Sequence, residues 1–245
     1  MQLLFDGDLI LYRAAAASEF DCDWGNDVWV LSTNLQQAKD AFKSQVDTIC
    51  KDLGTSDFAI ILSGSKNFRY TIDPTYKSNR KGTRKPLGFK ALKEWLYEAY
   101  PGQVKANDAL EADDYMGILS TTPNAVPRCI VSDDKDMQSI PGKLYRNEEL
   151  LEISEEEADR FHLYQTLVGD SADGYKGCPG VGPVKAEAIL KKPGDPWQNV
   201  RQAFLKAGTD EEHAVLQARL ARILRWSDWD SEKKEVRLWT PHPPS

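Results

Sequence analysis

The chain of 245 residues is 41% hydrophobic and 28% charged. These are ordinary globular proportions that exclude a disordered, collagen-like or coiled-coil chain and suit one large or two small domains. No apolar run approaches the roughly 18 residues of a membrane span. The start, MQLLFDGDLI, lacks the basic region of a secretory signal. Four scattered cysteines without a CxxC pair argue against a zinc knuckle or a dithiol site and for a reducing, cytoplasmic setting. The net charge of −7 conceals a basic stretch: from Lys66 to Lys93 nine basic residues face only Asp73, giving +8 there and −15 elsewhere. Such a run reads either as a solvated face or as a strip that grips phosphates.

In chain order, MQLLF predicts a buried strand ending at Asp6-Gly7-Asp8. Thr33 or Asn34 caps a helix whose apolar positions run Leu35, Ala38, Phe42, Val46, Ile49 and Leu53, closed by Gly54. Phe58–Leu62 predicts a second strand. TIDPTYKSNRKGTRKP predicts a loop or marginal helix, followed by an amphipathic helix through Phe89, Leu92, Leu96 and Ala99. A helix capped at Asn107 or Asp108 is expected to run through Leu119 to a stop at Pro123. Cys129–Val131 then predicts a third strand and Leu144–Arg146 a fourth. Ser154 with Glu157 forms a capping-box pattern for a helix to Gly169. Strands alternating with helices predict an α/β, mostly parallel sheet covered on both faces. Beyond Gly169, Gly and Pro punctuate short helices, Val184–Leu190 and about Glu211–Trp226, with a frayed tail from Pro241 to Ser245.

Carboxylates gather where α/β sheets place ligands. Asp6 closes the first strand, where an ordinary Asp-Gly turn is the plainer reading taken alone. Glu111, Asp113 and Asp114 sit together at a helix start, equally suited to a metal and to the helix dipole. Asp133, Asp134 and Asp136 follow the third strand, and Asp170 and Asp173 precede the Gly-rich stretch. Together they offer oxygen ligands only, which suits Mg²⁺ or Mn²⁺ rather than zinc. Two such ions about 4 Å apart can activate water and stabilise a leaving oxygen. His162, His213 and His242 are scattered and carry no triad signature. Gly177–Lys185 can form an anion nest ahead of a helix but lacks a Walker ending, so an ordinary turn is equally open.

FDGD, YKSNR, EADD, SDDKD and GDSAD, followed by the Gly-rich hairpin and the ARILRW and RLW segments, resemble in that order the flap endonuclease / 5′→3′ exonuclease superfamily. The likeness is strongest to the exonucleases of short-tailed bacteriophages. It implies a PIN-like nuclease domain over residues 1–165, with a basic arch segment at 66–93. A helix–hairpin–helix DNA-binding subdomain is implied over 166–245. By the same resemblance Asp6, Glu111, Asp113, Asp114, Asp134, Asp136, Asp170 and Asp173 are metal-site acids for two ions, and Tyr76, Lys77 and Arg80 form the base of the arch, with Lys77 and Arg80 at the scissile phosphate. Arg13, Gly180, Val181, Gly182 and Lys185 are implied to contact DNA, with a monovalent cation such as K⁺ at the Gly180–Gly182 hairpin. The implied substrates are duplex DNA with 5′ ends or flaps and RNA–DNA hybrids, with replication proteins as partners in a host bacterial cytoplasm.

The chain departs from the family at one point. Leu62-Ser63-Gly64-Ser65 holds no carboxylate where the family commonly has one, and Asp8 is the nearest substitute. A catalytically dead DNA-binding member and a ribonuclease without 5′-end specificity are the competing readings.

Overall fold

A computed structural model describes residues 1–123 and 125–241, so His242 and most of the expected frayed tail lie outside the described residues. Strand β1 (Gln2–Asp6) leads into helix α1 (Gly7–Ala17), then a hairpin of β2 (Glu19–Asp23) and β3 (Trp29–Thr33). Helix α2 (Leu35–Asp52), strand β4 (Phe58–Ser63), the short helix α3 (Arg69–Ile72) and helix α4 (Phe89–Ala99) follow. Next come β5 (Val104–Asn107), α5 (Ala112–Ser120), β6 (Arg128–Val131), β7 (Gly142–Arg146) and β8 (Glu149–Ile153). The chain continues through helices α6 (Glu155–Val168), α7 (Pro183–Leu190), α8 (Pro196–Lys206) and α9 (Glu211–Ala221), and a short pair β9 (Trp229–Asp230) and β10 (Glu235–Val236).

The main sheet has the order β5-β4-β1-β6-β7-β8 and is parallel except at β8. Because side chains alternate along a strand, Leu3 and Phe5 of β1 enter one core and Leu4 the other. Ile60 and Leu62 of β4 join the first core, Ala59 and Ile61 the second. Burial on both faces accounts for the continuous apolar runs read from the sequence. Helices α1, α2 and α4 cover one face, and α5 covers the other.

The predicted mostly parallel α/β sheet is present, and several boundaries differ. The helix expected from Asn107 starts at Ala112 with Glu111 at its N-cap, because Val104–Asn107 is spent pairing with Ile60–Ser63 as an edge strand. Helix α1, the β2–β3 hairpin, strands β5 and β8 and helix α8 are additions to the predicted elements. Pro196 is the first residue of α8, where its missing N–H costs nothing, and Asp195 caps it. Helix α9 ends at Ala221 rather than near Trp226, since Arg222 turns extended. The Ser154–Glu157 capping box is formed as expected.

A third core, with Leu163, Leu167, Leu190, Trp197, Val200 and Phe204, unites α6 to α9. The chain after α9 then returns to the sheet: Ile223 enters the second core, and Leu224 and Trp229 pack with Leu110 and Ile118. The last 20 or so described residues therefore cross the expected boundary between a nuclease domain and a C-terminal subdomain.

Candidate active site

Asp6 ends β1 and caps α1. Its Oδ1 accepts the Leu9 N–H at 3.1 Å and its Oδ2 the Ser132 hydroxyl at 2.7 Å. Burial, then the nearby charges of Asp8 and Asp134, push its pKa up to about 6. Asp134 follows β6 and accepts the Asp136 N–H at 2.9 Å, so it caps the turn. Asp136 is likewise pushed up to about 6 by burial and the Asp134 charge, although Gln165 Nε2 donates to it at 2.5 Å. Lys135 bridges Asp136 at 3.1 Å and Asp170 at 2.5 Å. Burial alone would raise Asp170, but the bond from Lys135 holds it below the usual carboxylate range.

At the N-terminus of α5, Glu111 Oε1 accepts Lys77 Nζ at 2.6 Å and Oε2 accepts Arg69 Nη1 at 3.1 Å. Burial would raise Glu111, and the two cations overcome it and keep it below its ordinary range. Asp113 has no such cation in contact; burial and the charges of Asp114 and Glu111 raise it well above an ordinary carboxylate. Carboxylate oxygens of Glu111, Asp113 and Asp114 lie within 4.8 Å of one another.

The YKSNR and GDSAD segments meet. Lys77 N–H donates to Asp173 O at 2.8 Å, Asn79 Nδ2 to Ser171 O at 2.7 Å and Arg80 Nε to Ala172 O at 2.9 Å. Tyr76 OH donates to Asp173 Oδ2 at 2.7 Å, and Arg80 Nη2 to Asp173 Oδ1 at 2.6 Å. Lys77 itself has φ of 52°, in the left-handed region that lysine rarely adopts. Strain held by surrounding bonds at a polar cleft is characteristic of working sites. The ammonium of Lys77 stands 3.7 Å from Asp173 as well as on Glu111, so it joins the two banks of acids.

Asp114 is placed differently from its neighbours. It is fully buried, and both its oxygens accept from Arg69, at 2.7 and 2.9 Å. Arg69 is itself buried, so it leaves the exposed basic strip, whereas Lys66, Arg80, Lys81, Arg84, Lys85 and Lys90 remain on the surface. Arg13 ion-pairs with Asp133. Both line a separate cleft of about 1100 Å³ between α1, α2 and the β7–β8 turn. In the Gly-rich hairpin Lys185 Nζ donates to Gly180 O at 2.8 Å, ahead of α7, and Val184 stands exposed. His162 is buried against Ala218 O, and burial holds it neutral with a pKa near 3.

A Cβ at Gly64, in the segment where the resemblance implies a carboxylate, would fall inside the radius of Asn107 O, so the end of β5 approaches the chain after β4 there as bare backbone. Asp8 fills that corner: its Oδ2 accepts the Ser63 N–H at 2.7 Å. Sequence reading missed Arg69, Ser132, Lys135 and Gln165 as partners of the acids. Lys135 alone had a signal, its place inside SDDKD.

The donors along this edge are oxygens, and burial, with like-charge crowding second to it, raises the pKa values of Asp6, Asp113 and Asp136; a hard divalent cation would relieve that crowding. Residues 1–160 match the model of the 5′-3′ exonuclease, N-terminal resolvase-like domain. The chain belongs to the 5′-3′ exonuclease family. An exodeoxyribonuclease of Enterobacteria phage T3 is 30% identical over 98% of this chain and 92% of its own length. The exonuclease of Escherichia phage T7 is 30% identical over 98% and 93%. In fold, this chain is similar to the bacteriophage T5 D15 flap endonuclease, solved as a pseudo-enzyme-product complex with DNA and metal ions (TM-score 0.62, 15% identity, covering 90% of this chain and 88% of that one). This is the PIN-like α/β fold, and the family is a metal-dependent one of hydrolytic nucleases. Among the described residues no helix is long and apolar enough to cross a membrane.

Proposed function

We propose that the exonuclease hydrolyses DNA phosphodiesters from a 5′ end at the acid edge of its sheet, with Mg²⁺ or Mn²⁺ held there. The observation that carries this reading is the contact of Lys77 with Glu111 and Asp173, which sets a cation-bearing segment directly over two banks of carboxylates. Glu111 and Asp113 would hold one ion, and Asp134, Asp136, Asp170 and Asp173, with Asp6 and Asp8 as further carboxylates, a second. Such ions, when bound, would polarise the phosphate and supply the attacking water. The chain's own groups do the rest. Arg80, half-exposed on Asp173, and Lys77 are positioned to meet the phosphate oxygens and steady the charge that develops on them. Tyr76 and the loop at Ser171–Asp173 hold that segment in place.

Duplex DNA is the proposed substrate, with RNA–DNA hybrids as a finer extension. The exposed Lys81, Lys85 and Lys90 and the Gly180–Lys185 turn support a grip on phosphates at two separated points. The K⁺ reading at the turn draws less support, because the Lys185 ammonium already donates to Gly180 O. Arg13 would reach DNA only by leaving Asp133. The proposed division is a nuclease body to about residue 154 and a helical unit from α6 to α9, with the final segment returning to the body. Replication proteins as partners and a bacterial cytoplasm as the setting follow the same reading.

A 5′-labelled duplex with blunt, recessed and flapped ends, incubated with Mg²⁺, Mn²⁺ or chelator, tests it. Metal-dependent release of 5′ mono- or oligonucleotides is expected. Retarded but uncut DNA in every metal condition would favour the binding-only reading, which the bare backbone at Gly64 supports.

A further inference from the structure

A guanidinium has five N–H donors, and those of Arg69 have five acceptors. Nε donates to Leu220 O at 3.1 Å. Nη1 donates to Glu111 Oε2 at 3.1 Å and Asp114 Oδ2 at 2.7 Å. Nη2 donates to Asp114 Oδ1 at 2.9 Å and Arg222 O at 2.6 Å. Asp114 Oδ1 also accepts the Leu224 N–H at 3.1 Å. Three stretches of chain far apart in sequence thus meet on one side chain: the start of the basic segment, the acid-bearing end of α5, and the chain leaving α9. The third stretch lies directly on α5, where a Cβ at Gly117 would run into Leu224 O.

We infer that Arg69 is a positioning residue that holds Glu111 in the acid cluster only while residues 220–224 are seated on α5, with Asp114 serving as its counter-ion rather than as a metal ligand. The inference rests on the metal-site reading above. Asp114 has no free approach: it is fully buried and three hydrogen bonds take up its oxygens. Each oxygen of Asp114 takes one guanidinium N–H of the buried Arg69, the bidentate pairing of a counter-ion. Glu111, by contrast, gives Arg69 only one oxygen and stays partly exposed. Seating of the helical region that ends in α9 is thereby tied to the geometry of the acid edge.

The test uses the full chain in four forms: Gly117→Ala, Arg69→Met, Arg69→Met with Asp114→Leu, and Asp113→Asn as reference. Mn²⁺ binding without DNA, melting temperature, duplex affinity in chelator and single-turnover cleavage are measured well below melting. Replacing a buried ion pair by apolar residues is often neutral in stability, so the double variant is expected to melt above Arg69→Met. Its Mn²⁺ affinity and cleavage rate stay down about tenfold, the scale of lost outer-shell support, with duplex affinity unchanged. Gly117→Ala, which favours the helix itself, is expected to show the same losses from a position that touches no acid. Wild-type cleavage in the double variant or in Gly117→Ala would overturn the coupling. Weaker Mn²⁺ binding in the double variant than in Arg69→Met would make Asp114 a ligand. If Asp113→Asn binds Mn²⁺ like wild type, the metal-site reading fails first and the inference falls with it.

Discussion

Lys77 Nζ lies 2.6 Å from Glu111 Oε1, and the residue that carries it sits in a left-handed backbone conformation. Removing that ammonium takes a positive charge from Glu111 and, on the proposed reading, from the phosphate as well. Lys77→Ala and Lys77→Gly are therefore both expected to lower single-turnover cleavage by about 10²-fold, the usual cost of one such donor. Glycine relaxes the backbone, so the Gly variant should be the more stable by about 0.5–1 kcal/mol. Rates and denaturant midpoints of the two variants check both statements. Equal stability would mean that the left-handed turn costs nothing.

Asp136 accepts from Lys135 and Gln165 and stands between Asp134 and Asp170. Asp136→Ala is expected to abolish cleavage while leaving duplex affinity nearly intact, since its side chain faces the acids and not the exposed basic strip. A gel-shift titration beside a cleavage assay reads this out. Loss of DNA binding with cleavage retained per bound complex would reverse the assignment.

Asp6 and Asp136 carry folded-state pKa values of about 6, above the ordinary 3.8. The folded state thus binds protons more tightly at these sites than the unfolded chain does. The stability they contribute is full below pH 4 and is lost as pH rises through 6. In chelator, the melting temperature of the wild type should fall between pH 4.5 and 6.5 relative to Asp136→Asn, and Mn²⁺ should recover it by binding the ionised form. Parallel pH profiles for the two proteins would refute the shift.

Gly64 has no room for a side chain against Asn107 O. Gly64→Asp is expected to destabilise by about 1–3 kcal/mol through overpacking and to leave metal affinity no higher than before. Asp8→Asn, at the same corner, should instead weaken Mn²⁺ binding and keep the fold, as calorimetry would show. A Gly64→Asp protein that is both stable and tighter for metal would show that the backbone can yield.

The acids themselves and the strands β1, β4 and β6 were legible in the sequence, whereas helix α1 after Asp6 and strand β5 before Glu111 were not. Apolar runs at Leu3–Phe5 and Ala59–Leu62 are set by burial on both sheet faces, and caps such as Ser154 with Glu157 are local chemistry. Order along the chain also carried the family resemblance, because motif spacing is a one-dimensional property. The role of each carboxylate was not legible, because a carboxylate's role depends on what stands opposite it. Asp113 and Asp114 are adjacent in sequence; one has its pKa raised by burial and by its acidic neighbours, and the other is paired with Arg69, 45 residues away, and braced by Leu224, 110 residues away. Nor could the sequence show that Gly64 is bare because two strands touch there, or that the chain after α9 comes back to α5. Those facts come from backbone approach across the sheet and from long-range ion pairing, which only the folded chain brings within hydrogen-bond distance.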